Sequence, residues 1–172
     1  LNSKNFGVPQ NRERIFIVGI LKSAQRAPFS FPKPYKNIPS ISSVLERDPT
    51  HPPINSYERS VIDSVRTKFM HKGIDVCKGN YIIDAGASVD FSGAMKDVSP
   101  CLKASRCDYY LTKRNRKLTP RECLRLQGFP DSFKIVVSDN QAYKQAGNSI
   151  TVNVLSQLLK QIYRALGKSV RV

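Results

Sequence analysis

"QNRERIFIVGIL", residues 10–21, passes within a few positions from polar and charged to uninterrupted apolar. The apolar run, Ile15 to Leu21, is too short for a helix and rich in β-branched side chains, so it reads as a buried strand of the kind found in a parallel sheet. Parallel sheets of that kind are a feature of α/β folds. Arg12 and Arg14 alternate at its mouth and should point to the same side. Forked donors there suit a phosphate or a polar base edge, or they merely guard a strand end.

Outward from this strand, Pro28, Pro32, Pro34 and Pro39 forbid regular structure and mark a first domain boundary, near residue 26. Ile41, Val44 and Leu45 sketch a short helix ended by Asp48-Pro49. A stronger helix begins near Ser56, with Val61, Ile62, Val65 and Phe69 on one face and Gly73 at its C-terminal cap. From Gly79 to Thr112, short runs such as "YIID" and "DYYLT" between Gly, Ser, Asp and Pro read as small, twisted β structure.

Next, "RKLTPRECLRLQGFPDSF", residues 116–133, reads as a capped helix. Thr119 is its N-cap, Pro120 its first residue, and Glu122 lies in its first turn. Leu118, Cys123 and Leu124 should face inward, with Arg121 and Arg125 sharing an outer face, and Gly128-Phe129-Pro130 should stop it. A last amphipathic helix runs from Ser149 to Leu166, with Val154, Leu155, Leu158, Leu159 and Ile162 as its stripe and Gly167 as its stop. Gly147, Asn148 and Ser149 then stand at its start, where they either cap it or bind an anionic or hydroxyl-bearing ligand.

Lys and Arg outnumber Asp and Glu by 28 to 13, a formal charge of +15 that suggests a polyanionic partner. Lys103, Arg106, Lys113, Arg114, Arg116, Lys117, Arg121 and Arg125 concentrate that charge, against only Asp108 and Glu122. No apolar run approaches the roughly 20 residues needed to cross a bilayer, and no signal peptide opens the sequence, so an intracellular, cytoplasmic protein is expected. Four cysteines at irregular spacing and two histidines, His51 and His71, do not make a zinc site, and reduced thiols fit better than disulfides. "YIIDAGAS" lacks the helix that a cofactor loop needs. Cys101 has no histidine near it in sequence to activate it as a nucleophile.

In order, "LNSKNFGVPQNRERIFIVG", "RKLTPRECLRLQGFPDSF" and "QAYKQAGNSITVNVL" resemble the last three sequence blocks of the HhaI-like cytosine-5 DNA methyltransferases of bacterial restriction-modification systems. The resemblance implies the C-terminal part of a doubly wound, S-adenosylmethionine-dependent methyltransferase domain plus a small, mixed β-rich target-recognition domain. It divides the chain into the end of the catalytic domain (1–26), a recognition domain holding the 116–133 scaffold helix (27–143), and a helix returning to the catalytic domain (144–172). It implies double-stranded DNA as partner and a cytosine flipped out of the stack for attack. Arg14 would contact that cytosine, Arg12 a nearby phosphate, and Gln10 would support the strand entrance. Asn148 and Ser149 would line the cofactor site.

Cys101, Lys103, Ser105 and Arg106, with Asn80, fall where DNA-contacting loops are expected, and Arg106 reads guanine or touches phosphate. Cys101 stands where the family has a threonine. The Phe-x-Gly-x-Gly, Pro-Cys-Gln and Glu-Asn-Val segments, which come before the Gln-x-Arg-x-Arg block in the family, do not occur. The chain alone is therefore expected to be inactive, with an N-terminal catalytic half in the same polypeptide or a separate subunit. Without that half, its first strand and last helix should expose apolar faces. The alternative is a non-catalytic DNA-binding remnant or regulatory module.

Overall fold

Asn55 and Glu58 start the first long helix by satisfying each other's backbone. The Asn55 side chain accepts from the Glu58 N–H and the Glu58 carboxylate accepts from the Asn55 N–H, each at 2.8 Å. In the computed structural model, which describes residues 1–104 and 108–168, this helix is α1, Ser56–Met70. Val61, Ile62 and Val65 are fully buried on the face that the four-residue spacing predicts. Gly73, at φ +72°, lets the chain turn back so that the Ile74 N–H reaches the Phe69 carbonyl at 3.0 Å.

Four short strands follow: β1 (Tyr81–Asp84), β2 (Ala94–Lys96), β3 (Tyr109–Leu111) and β4 (Arg116–Lys117). They form one antiparallel sheet in the order β2-β1-β3-β4. Ile82 pairs with Leu111 and Ile83 with Tyr110, so the two faces of the sheet alternate residue by residue. Ile83 and Tyr110 pack on Ile62 and Val65 of α1. Ile82, Tyr109 and Leu111 join Ile41, Leu118, Leu124, Leu126, Tyr143 and Ala146 on the other side. The small β structure expected over 79–112 is present, covered by helices on both faces.

The stretch 116–133 is not one helix. Arg116 and Lys117 pair with β3 as strand β4, and the helix α2 covers only Pro120–Leu126. Its start is as the sequence indicates, with a Thr119–Glu122 capping box and Pro120 in the first turn. Leu118, Cys123 and Leu124 are buried, and Gly128 at φ +80° ends the turn against Asn153 of the last helix. Arg116 and Lys117, counted in the basic cluster of the sequence, are only 4% and 7% exposed and form buried ion pairs. Arg116 Nη2 meets Glu122 at 2.6 Å and Lys117 Nζ meets Glu58 at 2.5 Å. Arg114 donates to the Glu46 and Arg47 carbonyls and Arg125 pairs with Asp131, so the basic cluster of the sequence is largely engaged within the fold.

Burial pushes the Glu58 carboxyl up, but the Lys117 ammonium and the Asn55 N–H outweigh it and hold the group below its ordinary value. A depressed carboxyl stabilises the fold above its unfolded pKa and loses that contribution as pH falls through the folded one. The urea midpoint is therefore expected to drop on acidification below the ordinary carboxylate range. Glu58→Gln should start lower at neutral pH and show a flatter acid limb; an unchanged acid limb would remove Glu58 from the account.

Residues 15–21 depart from the sequence expectation. They alternate in exposure but form no strand. Ile15, Ile17 and Leu21 are 92%, 94% and 73% exposed. A strand is made by its neighbours, and among the described residues the backbone of 15–20 finds no hydrogen-bonding partner. A further helix, α3 (Asp139–Asn148), precedes the last one, α4 (Val152–Ala165), which has Thr151 as N-cap. Gly147 and Asn148 thus end α3 instead of opening the final helix. Val154 and Leu158 of the α4 stripe are buried, whereas Leu159 and Tyr163 are each 42% exposed. Among the described residues no helix is long and apolar enough to cross a membrane.

Candidate functional site

The two ends of the chain meet. Residues 1–3 run antiparallel to 12–14, with the Ser3 N–H on the Arg12 carbonyl at 2.9 Å and the Arg14 N–H on the Leu1 carbonyl at 3.0 Å. Ser3 Oγ lies 2.7 Å from Thr151 Oγ1, which donates to Gln127, whose amide donates to the Ala146 carbonyl. Gln10 is fully buried beside them, donating to the Leu126 carbonyl at 2.9 Å and accepting from the Leu102 N–H at 3.1 Å. It supports the entrance to the 15–21 segment by tying three distant stretches together.

Arg12 and Arg14 part company here. Arg12 is 6% exposed, and its guanidinium donates to the carbonyls of Leu102 (3.0 Å), Gly147 (3.0 Å) and Ser149 (2.8 Å). The expected phosphate contact of Arg12 is corrected: its donors are spent on the seam where the 99–104 strip and the α3–α4 junction meet. Arg14 is exposed; Nη1 bonds the Glu13 carbonyl at 2.6 Å and Nη2 reaches Cys101 Sγ at 3.3 Å. Cys101 Sγ also accepts from Arg12 Nη1 at 3.3 Å. Of the other expected DNA contacts, Lys103 pairs with Asp84 at 2.6 Å and is half-exposed, while Ser105 and Arg106 lie outside the described residues. Asn80 donates to Asp97 at 3.4 Å, in the hairpin formed by β1 and β2.

A cavity of about 260 Å³ opens at this junction. Arg12, Arg14, Asn148 and Ser149 line it together, so the residues assigned from the two ends of the sequence share one site. Ser3, Thr151 and the apolar Ile15, Phe16, Ile150 and Val154 complete the wall. Sequence reasoning missed Ile150 and Thr151 because they sit in the break between α3 and α4, which an uninterrupted helical reading conceals. The exposed Arg14 guanidinium and no carboxylate line the cavity, so it suits an anionic or carbonyl-bearing ligand between apolar walls. Asn148 and Ser149 would offer S-adenosylmethionine polar contacts here, but no lining acid is present to take its ribose hydroxyls. Among the described residues no cluster of His, Cys, Asp and Glu could hold a metal.

Gly147 sets how closely α3 approaches the 99–104 strip. A Cβ there would lie 2.4 Å from the Lys103 carbonyl carbon and oxygen and 2.6 Å from the Ala104 nitrogen. These are backbone atoms and cannot swing aside. Gly147→Ala is expected to cost at least about 1–3 kcal/mol, read as a lower denaturant midpoint; an unchanged midpoint would show that the seam can open at no cost.

A family model described as C-5 cytosine-specific DNA methylase matches residues 1–164. Type II methyltransferase M.HpaII of Haemophilus parainfluenzae is 39% identical over 183 residues, covering 97% of this chain and 50% of that protein. M.SsoII of Shigella sonnei is 36% identical, over 95% of this chain and 43% of its own length. M.HhaI of Haemophilus parahaemolyticus is 31% identical, over 96% and 52%. The chain thus spans about half the length of the curated relatives it matches. The solved Entamoeba histolytica methyltransferase EhMeth is alike at a TM-score of 0.54, covering 96% of this chain and 52% of that one. At 17% identity that likeness is one of fold. With the family model running from the antiparallel 1–14 segment through the arginine-lined cavity into α4, the chain belongs to the C-5 cytosine-specific DNA methylase family.

Proposed function

We propose that this chain is the target-recognition and cofactor-closing portion of a DNA (cytosine-5-)-methyltransferase. Joined to an N-terminal catalytic half, it serves transfer of a methyl group to carbon 5 of cytosine in a specific duplex site. The observation that carries this reading is the convergence of Arg14, Asn148 and Ser149 on one cavity in a chain of this family. S-adenosylmethionine supplies the methyl group when bound, and Asn148 and Ser149 form one polar edge of its site. The target base must leave the duplex stack before its ring is reachable. Arg14, exposed and charged at the cavity rim, then donates to an acceptor on the extruded cytosine and holds the ring in place. Arg12 acts behind it, fixing the wall on which both sit.

In this reading, residues 1–26 and 144–172 belong to a doubly wound catalytic domain, and 27–143 form the target-recognition domain around the four-stranded sheet. The partner is double-stranded DNA, for which the +15 charge provides non-specific attraction. The protein works in the bacterial cytoplasm, where that DNA lies. The N-terminal half covers Ile15, Ile17 and Leu21, supplying the strands whose absence leaves 15–21 unpaired. Lacking a Pro-Cys-Gln nucleophile loop, the chain needs that half for the covalent step.

The test is to co-express the chain with the N-terminal half of the Haemophilus parainfluenzae relative and measure methyl incorporation into duplex DNA. Transfer to cytosine by the pair, and by neither part alone, is the expected result. Duplex binding without transfer would favour the non-catalytic remnant instead.

A further inference from the structure

Among the described residues, the Arg14 side chain is held at the cavity by one long-range contact. Its Nη1 bonds only the carbonyl of the adjacent Glu13, and its Nη2 crosses to Cys101 Sγ at 3.3 Å. The same sulfur accepts from Arg12 Nη1, yet Arg12 is already fixed by three carbonyls. Cys101 is itself anchored. Its carbonyl accepts from the Tyr109 hydroxyl at 2.8 Å, and that hydroxyl accepts from the Lys103 N–H at 2.9 Å, with the Tyr109 ring buried in the core. The sulfur thus connects a fixed point of the fold to a guanidinium that is otherwise free to sweep through solvent.

We propose that Cys101 is a positioning residue for Arg14: its sulfur, fixed through Arg12 and the Tyr109-anchored strip, holds the Arg14 guanidinium at the cavity rim before substrate arrives. The role rests on the function proposed above, and it replaces the DNA contact expected of Cys101 from sequence. An arginine side chain carries about 2 kcal/mol of rotamer entropy, so holding it in advance leaves less ordering for ligand binding to supply. Sulfur suits the task because it is a weak acceptor. A carboxylate in its place would neutralise the guanidinium and turn it away from a ligand, whereas a thiol orients it and leaves its charge available.

Two measurements test this. In the enzyme assembled with its N-terminal half, Cys101→Ala should lower kcat/KM by about tenfold, and Cys101→Ser, which restores an acceptor, should return it to within about twofold. In an Arg14→Ala background, Cys101→Ala should change nothing further, since the residue it positions is gone. In this chain alone, side-chain nitrogen NMR should show the Arg14 guanidinium becoming mobile in Cys101→Ala and staying ordered in Cys101→Ser, with the unfolding midpoint of both unchanged. Additive losses in the double variant, or an Arg14 signal indifferent to Cys101→Ala, would overturn the proposal. An unaltered assembly that transfers no methyl group would sink the functional reading and the role with it, while the NMR measurement still decides whether the tether exists.

Discussion

Glu122→Ala is expected to lower the free energy of unfolding by about 3–5 kcal/mol, enough to leave much of the chain unfolded at room temperature. Glu122 is fully buried and accepts four hydrogen bonds. Two come from Arg116, at 2.6 and 2.8 Å, one from the Glu46 N–H at 2.8 Å, and one from the Thr119 N–H at 2.9 Å. One carboxylate therefore joins β4, the start of α2 and the loop that follows Val44. Truncating it leaves a guanidinium that is 4% exposed with the Lys117 carbonyl alone and removes the acceptor of two N–H groups. The cause can be separated from simple cavity formation with a paired variant. Arg116→Met with Glu122→Leu removes the buried charge and keeps the volume, so it should recover most of the loss and leave about 1–3 kcal/mol for the two orphaned N–H groups. Urea unfolding followed by circular dichroism reads both. A Glu122→Ala loss below about 1 kcal/mol would mean that the pair is hydrated and does not organise this corner.

That corner also shows where sequence reasoning stops. The Thr119–Glu122 capping box is local, spanning four residues, and it is legible as such. The same holds for α1, whose cap, apolar face and terminal glycine lie within one continuous stretch. Arg116 and Lys117 are different. Charged residues read as surface, and only the pairing with β3 and the partners Glu122 and the distant Glu58 reveal that they form a buried strand. Helix α3 was missed because its inward face is built from Ala142, Tyr143, Ala146 and Gly147, which are too small or mixed to give apolar contrast. Residues 15–21 show the reverse case: the composition of a buried strand is present, but strand pairing is a tertiary property that composition cannot supply. At the site, Arg12, Arg14, Asn148 and Ser149, named from separate motif blocks, line one cavity. Their individual roles were not legible, because two arginines one residue apart look equivalent until their burial is known.

Those two arginines are expected to fail in opposite ways. Arg12→Met keeps the aliphatic stem but removes donors to three carbonyls in two separate parts of the chain. Hydrogen bonds from a charged donor contribute about 1.5–3 kcal/mol each, though water can replace part of this at the Ser149 end, so a net loss of about 3 kcal/mol is expected. Transfer should fall along with it, because the seam carries Asn148, Ser149 and Cys101. Arg14→Ala removes an exposed side chain with a single long-range bond, so stability should change by no more than about 0.5 kcal/mol. Yet Arg14 is the exposed donor at the cavity rim, and loss of a preorganised donor at a reacting group typically costs about 10²–10³ in rate. The urea midpoint of the chain and the methyl incorporation of the assembled enzyme, measured on both variants, should therefore cross. Arg12→Met is low in both, whereas Arg14→Ala is low only in transfer. A fully active Arg14→Ala would reassign the cavity, and an Arg12→Met of native stability would show that the carbonyl seam is held by something other than the guanidinium. The physical reason for expecting the crossing is burial: a guanidinium with its donors satisfied inside the protein acts on the fold, and one with its charge still facing solvent has that charge left for a ligand.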